Sequence, residues 1–122
     1  MASSAAIASD RAQYDRAEPM FRRAITLNPN YATAYHWYSR MLSAMGRVDE
    51  AISFAERAVE LDPLSPVINA NLGDFLAEAG RFDEAESRHR KAIEIDPSMP
   101  SSYDSIGRLR AFVLNRYVDA VP

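Results

Sequence analysis

The sequence repeats with a period of 34 residues, and this feature limits the possible folds more than any other. The dipeptides Asn28-Pro29, Asp62-Pro63 and Asp96-Pro97 all follow the period. The hexapeptide at 46–51, Gly-Arg-Val-Asp-Glu-Ala, recurs with one change at 80–85. A period of about 20–50 residues is typical of stacked supersecondary units, because one unit alone cannot bury its apolar face. The chain is therefore predicted to be an array of similar units.

The first half of each unit is predicted to be an amphipathic helix. Tyr35, Tyr38 and Leu42 recur at helical spacing and form one apolar stripe. Gly46 follows them, and glycine commonly ends a helix because it adopts the left-handed backbone without steric cost. We expect the same turn at Gly80.

The second half of each unit is predicted to be another helix, whose small residues let it approach the first closely. Asp49 is a suitable N-cap for this helix, and Asp15 and Asp83 are expected to take the same role. Pro63 ends the unit, because the residue before a proline disfavours helical geometry. Ser65 is then the expected N-cap of the next unit.

These units resemble the tetratricopeptide repeat, a helix–turn–helix of about 34 residues with a glycine at its turn and two spaced alanines in its second helix. In the unit 32–65 the matching residues are Tyr35, Tyr38, Ser39, Leu42, Gly46, Ala51, Ala58 and Pro63. In the unit 66–99 they are Leu72, Gly73, Leu76, Gly80, Ala85, Ala92 and Pro97. Three residues depart from the pattern, since Asn69, Ala55 and His89 stand where the family usually has a bulky aromatic residue.

The resemblance implies an all-α fold, a right-handed α-solenoid of antiparallel helix-turn-helix repeats. We expect residues 1–122 to form a single domain of about three and a half repeats. The expected boundaries are a partial first repeat at 1–31, two full repeats at 32–65 and 66–99, and a truncated last repeat at 100–122.

The two ends are predicted to be incomplete repeats. Residues 3–12 and 15–27 are expected to form the two helices of an earlier unit, and Asn115 is expected to replace the turn glycine of a last one. No later helix would then cover a set of apolar side chains in that last unit. The set comprises Ile106, Leu109, Phe112, Val113 and Leu114. We therefore expect the chain to be a segment of a longer repeat protein.

The sequence offers few groups that could perform chemistry. It has no cysteine, and its two histidines, His36 and His89, lack the spacing of metal ligands. His89 is expected to be a partly buried packing residue. The four glycines are isolated, so none forms a phosphate loop, and Gly73 and Gly107 are expected to allow close helix packing. We therefore predict no enzymatic activity, no cofactor and no metal site.

Charge and hydropathy point away from nucleic acids and membranes as partners. The formal net charge is −3, and the basic residues are scattered along the chain. The carboxylates of the second helices alternate with basic residues, as on a solvated face. No apolar run approaches the ~20 residues that a membrane span needs. A cytoplasmic protein is the expectation.

The resemblance also implies where a partner would bind, since partner peptides of the family usually lie in a concave groove lined by the first helices. The predicted partner-binding residues are Thr33, His36, Trp37, Arg40, Asn71, Asp74, Ser105 and Arg108. Trp37 is the only tryptophan and the first candidate for an anchor, although it could instead pack sideways against the preceding helices. Arg40 could pair with a ligand carboxylate or with Asp74.

One specialised form of the family is not expected here. Repeat domains that capture the carboxylate end of a chaperone carry a set of Lys, Asn and Arg residues on these helices. His36, Arg40, Ser101 and Ser105 depart from that set, and only Asn71 matches it. A clamp for a chaperone tail is therefore not predicted.

Two classes of function remain. The first is a non-catalytic protein–protein interaction module that presents a concave groove to a peptide or protein partner. The alternative is a structural spacer or self-association segment of a larger bacterial signalling or transcription-regulating protein. The uncovered apolar residues of the terminal helix would then allow a homodimer.

Overall fold

The computed structural model of the chain is all-α. It describes the backbone of residues 2–120 and the side chains of residues 12–115. Six helices follow one another in this part of the chain: α1 (Ala2–Leu27), α2 (Ala32–Ala44), α3 (Val48–Leu61), α4 (Pro66–Glu78), α5 (Phe82–Ile95) and α6 (Pro100–Ala120). They fall into two compact units, Met1–Asp62 and Pro63–Pro122.

In the first unit, α2 packs against α3 and α1 packs against α2. Tyr38 and Leu42 of α2 are fully buried, and so are Ala51 and Ala58 of α3. The alanines leave room for the large side chains of α2, so the two helices pack with a large residue opposite a small one. The sequence predicted this pairing of a large-residue helix with a small-residue helix.

In the second unit, α4 packs against α5, and α6 packs against both of them. Its core contains polar groups as well as apolar ones, and Asn69 is the clearest case. This amide takes the place of an aromatic residue and donates to the backbone oxygens of Pro63 and Ser65, at 3.1 and 2.9 Å. The Ser65 hydroxyl in turn accepts from the Ile68 amide, which confirms the predicted N-cap.

The turns between paired helices are formed by glycine, as predicted. Gly46 and Gly80 both have φ of 80°, in the left-handed region. At the first turn the Gly46 amide donates to Ser43, and the Arg47 amide donates to the Leu42 oxygen at 2.9 Å. These two bonds satisfy carbonyls that the end of α2 would otherwise leave unpaired.

The prediction that aspartates cap the second helices is wrong. Arg47 and Arg81 occupy the N-cap positions, and neither makes a side-chain cap hydrogen bond. Asp49 and Asp83 lie inside the first turn, where a negative charge still favours the helix dipole. The helices start earlier than predicted because Val48 and Phe82, two residues after the turn glycines, are already helical.

The predicted turns at the two ends are also wrong. α1 is one continuous helix through Asp15, and it contains Pro19. α6 likewise continues past Asn115, and no described residue other than glycine has a positive φ. Neither place has a glycine, and a left-handed residue with a side chain costs roughly 1–2 kcal/mol. Continuing the helix avoids that cost and keeps its backbone hydrogen bonds.

Among the described residues, none of the helices combines the length and the apolar character that crossing a bilayer requires.

Candidate functional site

An exposed aromatic residue with a cation above it marks α2 in the first unit. Trp37 is 49% exposed. The guanidinium carbon of Arg40 lies 4.9 Å from the centroid of the indole ring, which is the geometry of a cation–π contact. Thr33, one helical turn before Trp37, is exposed as well. Three of the predicted partner-binding residues therefore share one accessible face of α2.

His36 does not belong to that accessible face. Its side chain is only 8% exposed, and its ring centroid lies 5.9 Å from that of Trp37. Burial lowers the pKa of His36, and the nearby charge of Arg40 lowers it further. This burial does not support His36 as a residue that contacts a partner directly, because the packing of α2 encloses the imidazole and favours its neutral form.

The second unit contains an open cleft of about 610 Å³ between α4, α5 and α6. Its apolar floor includes Phe82 and Leu109, together with Phe112, whose ring centroid lies 5.0 Å from that of Phe82. Asp74 and Glu78 stand on α4 at the edge of the cleft. The residues Ser105 and Arg108 contribute from α6, and His89 contributes from α5.

His89 is the most enclosed polar residue of this cleft, at 2% exposed. Its Nδ1 lies 3.2 Å from the hydroxyl oxygen of Ser102. Its Nε2 lies 3.1 Å from Oδ1 of Asp74, but the direction is wrong for a hydrogen bond and Nε2 has no hydrogen-bond partner among the described residues. The pairing carries a full ionic attraction only when the imidazole is protonated.

The order Ser102, His89, Asp74 invites comparison with a hydrolytic triad, and the geometry does not support one. Ser102 has no exposed surface, so a substrate carbonyl has no path to its hydroxyl. The three residues instead fasten α4, α5 and α6 to one another. The prediction that His89 is a packing residue is confirmed by its burial.

The structure brings together some of the residues that were predicted from the sequence. In the second unit, Asp74, Ser105 and Arg108 all line the cleft. Asn71, one turn before Asp74 on α4, is half-buried and lies outside the cleft lining. In the first unit, Thr33, Trp37 and Arg40 share the exposed face and His36 lies behind it.

Several residues that line the cleft were not among the predicted contact residues, and Phe82 and His89 are two of them. Phe82 is the first residue of α5, and its side chain reaches the floor of the cleft. A signal for His89 was present in Gly73, because a glycine inside a helix often marks the close approach of another group. A Cβ atom at Gly73 would lie 2.6 Å from Cδ2 of His89. The similar expectation for Gly107 is wrong, since that position faces open space.

Three consecutive apolar side chains of α6 are exposed, as predicted. Phe112 and Val113 are each 48% exposed and Leu114 is 60% exposed. A second open cleft of about 420 Å³ lies beside them, and Phe82 and Leu109 line it as well. Leu109 itself is buried, so the prediction that it is uncovered is wrong.

The acidic residues of α3 and α5 form ordinary surface ion pairs. Arg57 pairs with Glu60 at 2.9 Å, and Arg90 pairs with Glu86 at 3.6 Å. Arg110 of α6 also contacts Glu86, at 2.7 Å. In the part of the chain that the structure describes, no group of three or more His, Cys, Asp and Glu side chains could hold a metal ion.

Several solved structures share this fold. The TPR domain of Sgt2 from Aspergillus fumigatus superimposes with a TM-score of 0.82 at 20% identity, covering 98% of this chain and 81% of that one. The first TPR of Spaghetti (RPAP3), bound to an HSP90 peptide, gives 0.81 at 13% identity over 85% and 82% of the two chains. These similarities establish the fold alone.

A third similar structure is the MamA protein, with a TM-score of 0.75 and 24% identity. The match covers 79% of this chain, which spans about half of the MamA chain, 52%. Comparison with curated protein sequences finds no match. The family model of the tetratricopeptide repeat matches residues 8–63 and again 42–103. These two overlapping matches cover most of the sequence, and the chain belongs to the tetratricopeptide repeat family.

Proposed function

We propose that the chain is a non-catalytic protein–protein interaction module that binds a peptide or protein partner through the exposed faces of its first helices. The observation that carries the proposal is the exposed Trp37 with Arg40 above its ring. A partly exposed tryptophan is a frequent interface anchor, because it buries a large area with few rotatable bonds. Family membership supports the same reading, and the Spaghetti domain of the same fold holds a peptide.

In the first unit, the proposed contact residues are Thr33, Trp37 and Arg40 on the exposed face of α2. In the second unit, Asn71, Asp74, Ser105 and Arg108 stay predicted contact residues of a separate surface. His36 acts indirectly, by supporting the indole from behind. A cytoplasmic location and the lack of a nucleic-acid partner stay predictions from the sequence.

Selection of binding peptides tests the proposal. A displayed library of random dodecapeptides is selected on the whole chain, and the emission of Trp37, the only tryptophan, is followed while each selected peptide is added. Binding through α2 should shift or quench that emission. Trp37→Ala should weaken binding by about tenfold or more, because truncating a central anchor typically costs over 1 kcal/mol.

A basic residue outside the proposed contact face, Lys91, serves as the control for Arg40. Arg40→Ala should weaken binding several-fold, whereas Lys91→Ala, on the exposed face of α5, should leave it unchanged. Backbone chemical shifts measured in the same titrations locate the contact. Perturbations concentrated on α3 around residues 56–60, or on α5 around Lys91 and Glu94, would contradict the proposal.

Self-association is the second candidate function, and the exposed apolar residues of α6 favour it. Phe112, Val113 and Leu114 stand together near the end of the described side chains, and contiguous apolar surface of this kind is typical of interfaces. Light scattering over a wide concentration range tests the idea. A dimer that Leu114→Glu dissociates would support it, and a monomer at every concentration would exclude it.

A further inference from the structure

The cleft of the second unit has walls of opposite charge above an apolar floor. Asp74 and Glu78 are four residues apart on α4, so both carboxylates lie on one side of that helix. Arg108 stands on α6, and it forms no ion pair with any described residue. The aromatic pair Phe82 and Phe112 lies in the floor. A ligand that matches this arrangement needs charge of both signs around an apolar group.

The buried imidazole of His89 gives an independent indication that the cleft is built for a ligand. A buried polar atom without a partner is uncommon, because the atom loses its hydration when no hydrogen bond replaces water. Nε2 of His89 is such an atom, and it lies 3.1 Å from the Asp74 carboxylate without being aligned to it. A cation bound on the outer side of Asp74 would restrict the orientation of that carboxylate beside Nε2.

We propose that this cleft receives a peptide segment in which one apolar side chain is flanked by a lysine or arginine on one side and by an acidic residue on the other. The inference rests on the proposed function, since it names the class of partner for the second unit. The apolar side chain packs on the surface of the ring pair Phe82 and Phe112. The basic residue pairs with Asp74 and Glu78, and the acidic residue pairs with Arg108.

The size of the cleft agrees with this occupant. About 610 Å³ falls within the range of roughly 300–1,000 Å³ that is usual for ligand sites, and it is more than one side chain fills. A purely acidic peptide would place like charges beside Asp74 and Glu78, and a purely basic one would repel Arg108. Such repulsion is an effective way for an interface to reject wrong partners.

The test compares peptide selection on two forms of the whole chain. Random displayed dodecapeptides are selected on the wild type and on the double variant Asp74→Lys/Glu78→Lys, after circular dichroism has shown that both are helical. Peptides selected on the wild type should be enriched in an aromatic or aliphatic residue with lysine or arginine close to it. On the double variant, acidic residues should replace those basic residues. Equal enrichment of basic residues on both forms would overturn the proposal.

Single variants then measure each contact with the best selected peptide. We expect Phe112→Ala to weaken binding by about tenfold, and Asp74→Asn and Arg108→Gln by about two- to fivefold each, because exposed charge pairs contribute modestly. Glu94→Gln is the matched control, since Glu94 is an exposed carboxylate on the solvated face of α5 and pairs with Lys91. It should leave the affinity unchanged. An equal loss in Glu94→Gln and Asp74→Asn would also overturn the proposal.

Different experimental results would contradict binding in this cleft and the proposed function as a whole. The selected peptides could lose affinity with Trp37→Ala and keep it when Asp74, Arg108 or Phe112 is substituted. That result would exclude the cleft as the binding site and would still support the proposed function. Failure to select any peptide on the wild type would count against both.

Discussion

Gly73 and His89 are in direct contact across the interface of α4 and α5, and the imidazole occupies the space that a side chain at position 73 would need. A Cβ atom at Gly73 would lie 2.6 Å from Cδ2 and 2.7 Å from Nε2 of His89. His89 cannot retreat easily, because it is buried and its Nδ1 lies 3.2 Å from the hydroxyl of Ser102. Because Gly73 has no side chain, α4, α5 and α6 all contact His89.

This contact predicts opposite effects for the same substitution at two helical glycines. Gly73→Ala should lower the free energy of unfolding by about 1–2 kcal/mol, because the overpacking exceeds the gain in helix propensity. Gly107→Ala in α6 should raise it by about 0.5–1 kcal/mol, since nothing lies within 4 Å of the new Cβ atom. Urea denaturation followed by circular dichroism measures both values. Equal effects of the two substitutions would show that the close approach at Gly73 has no energetic importance.

Substitution of a turn glycine is expected to lower the free energy of unfolding through backbone strain. Gly46→Ala should lower the free energy of unfolding by roughly 1–2 kcal/mol although the space around Gly46 is open, because the cost arises from its φ of 80°. Gly46→Asn should cost less, since asparagine tolerates the left-handed region better than alanine does. Thermal denaturation of the two variants checks this order. If alanine were tolerated better than asparagine, crowding or local polarity would have to replace backbone strain as the explanation.

Glu18 joins the three helices of the first unit and predicts a dependence of stability on pH. Its Oε2 accepts hydrogen bonds from the Tyr38 hydroxyl at 2.7 Å and from Arg47 Nη1 at 2.8 Å. The bond from Tyr38 and the neighbouring Arg47 hold the pKa of Glu18 below its ordinary value of 4.5, although partial burial opposes them. A carboxylate with a lowered pKa in the folded state contributes stability above its ordinary pKa. That contribution is lost as the pH falls through the folded value.

Glu18→Gln should therefore lower the free energy of unfolding by about 1–2 kcal/mol at pH 7. The difference from the wild type should shrink as the pH falls below about 4.5. Urea denaturation at a series of pH values measures this difference. Glu60→Gln, which removes an exposed ion pair with Arg57, is the control and should change the stability by less than about 0.5 kcal/mol. A difference for Glu18→Gln that persists unchanged at pH 3 would assign the effect to packing.

The contact of Arg40 with Trp37 predicts a spectroscopic change without unfolding. Arg40→Ala should leave the helix content unchanged and make the indole more accessible to acrylamide, because the guanidinium covers one face of the ring. The loss of stability should stay below about 1 kcal/mol, as for other exposed cation–π contacts. Quenching of the single tryptophan measures the accessibility. Arg57→Ala, which affects the ring of Tyr35 instead, should leave the quenching unchanged.

Much of the architecture was accessible from the sequence because each repeat carries its own start and stop signals. The positions of Gly46 and Gly80 were predicted from the sequence, and both have the expected left-handed backbone. The limits of α1 and α6 were not predictable in the same way. The sequence pattern aligned 12–17 and 115–120 with the turns, but the alignment could not show that a helix continues where a glycine is lacking.

The candidate site was predictable only in part. Trp37 and Arg40 were expected on an accessible face, and they do share one. The burial of His36 was not visible in the sequence, because a polar residue on the edge of an apolar stripe can turn toward either side. Phe82 escaped prediction for a related reason, since the first residue of a helix has no turn before it to show which face it joins.

The sequence by itself determined the repeat, its period, the pairing of large and small helices and the family, because these depend on local patterns that recur along the chain. The tertiary structure decided which polar groups are buried, where the helices of the terminal units end, and how Asp74, Arg108 and Phe112 come to line one cleft. Those outcomes depend on contacts between residues far apart in sequence. Gly73 and His89, 16 positions apart, show how such a contact is set by shape more than by any local motif.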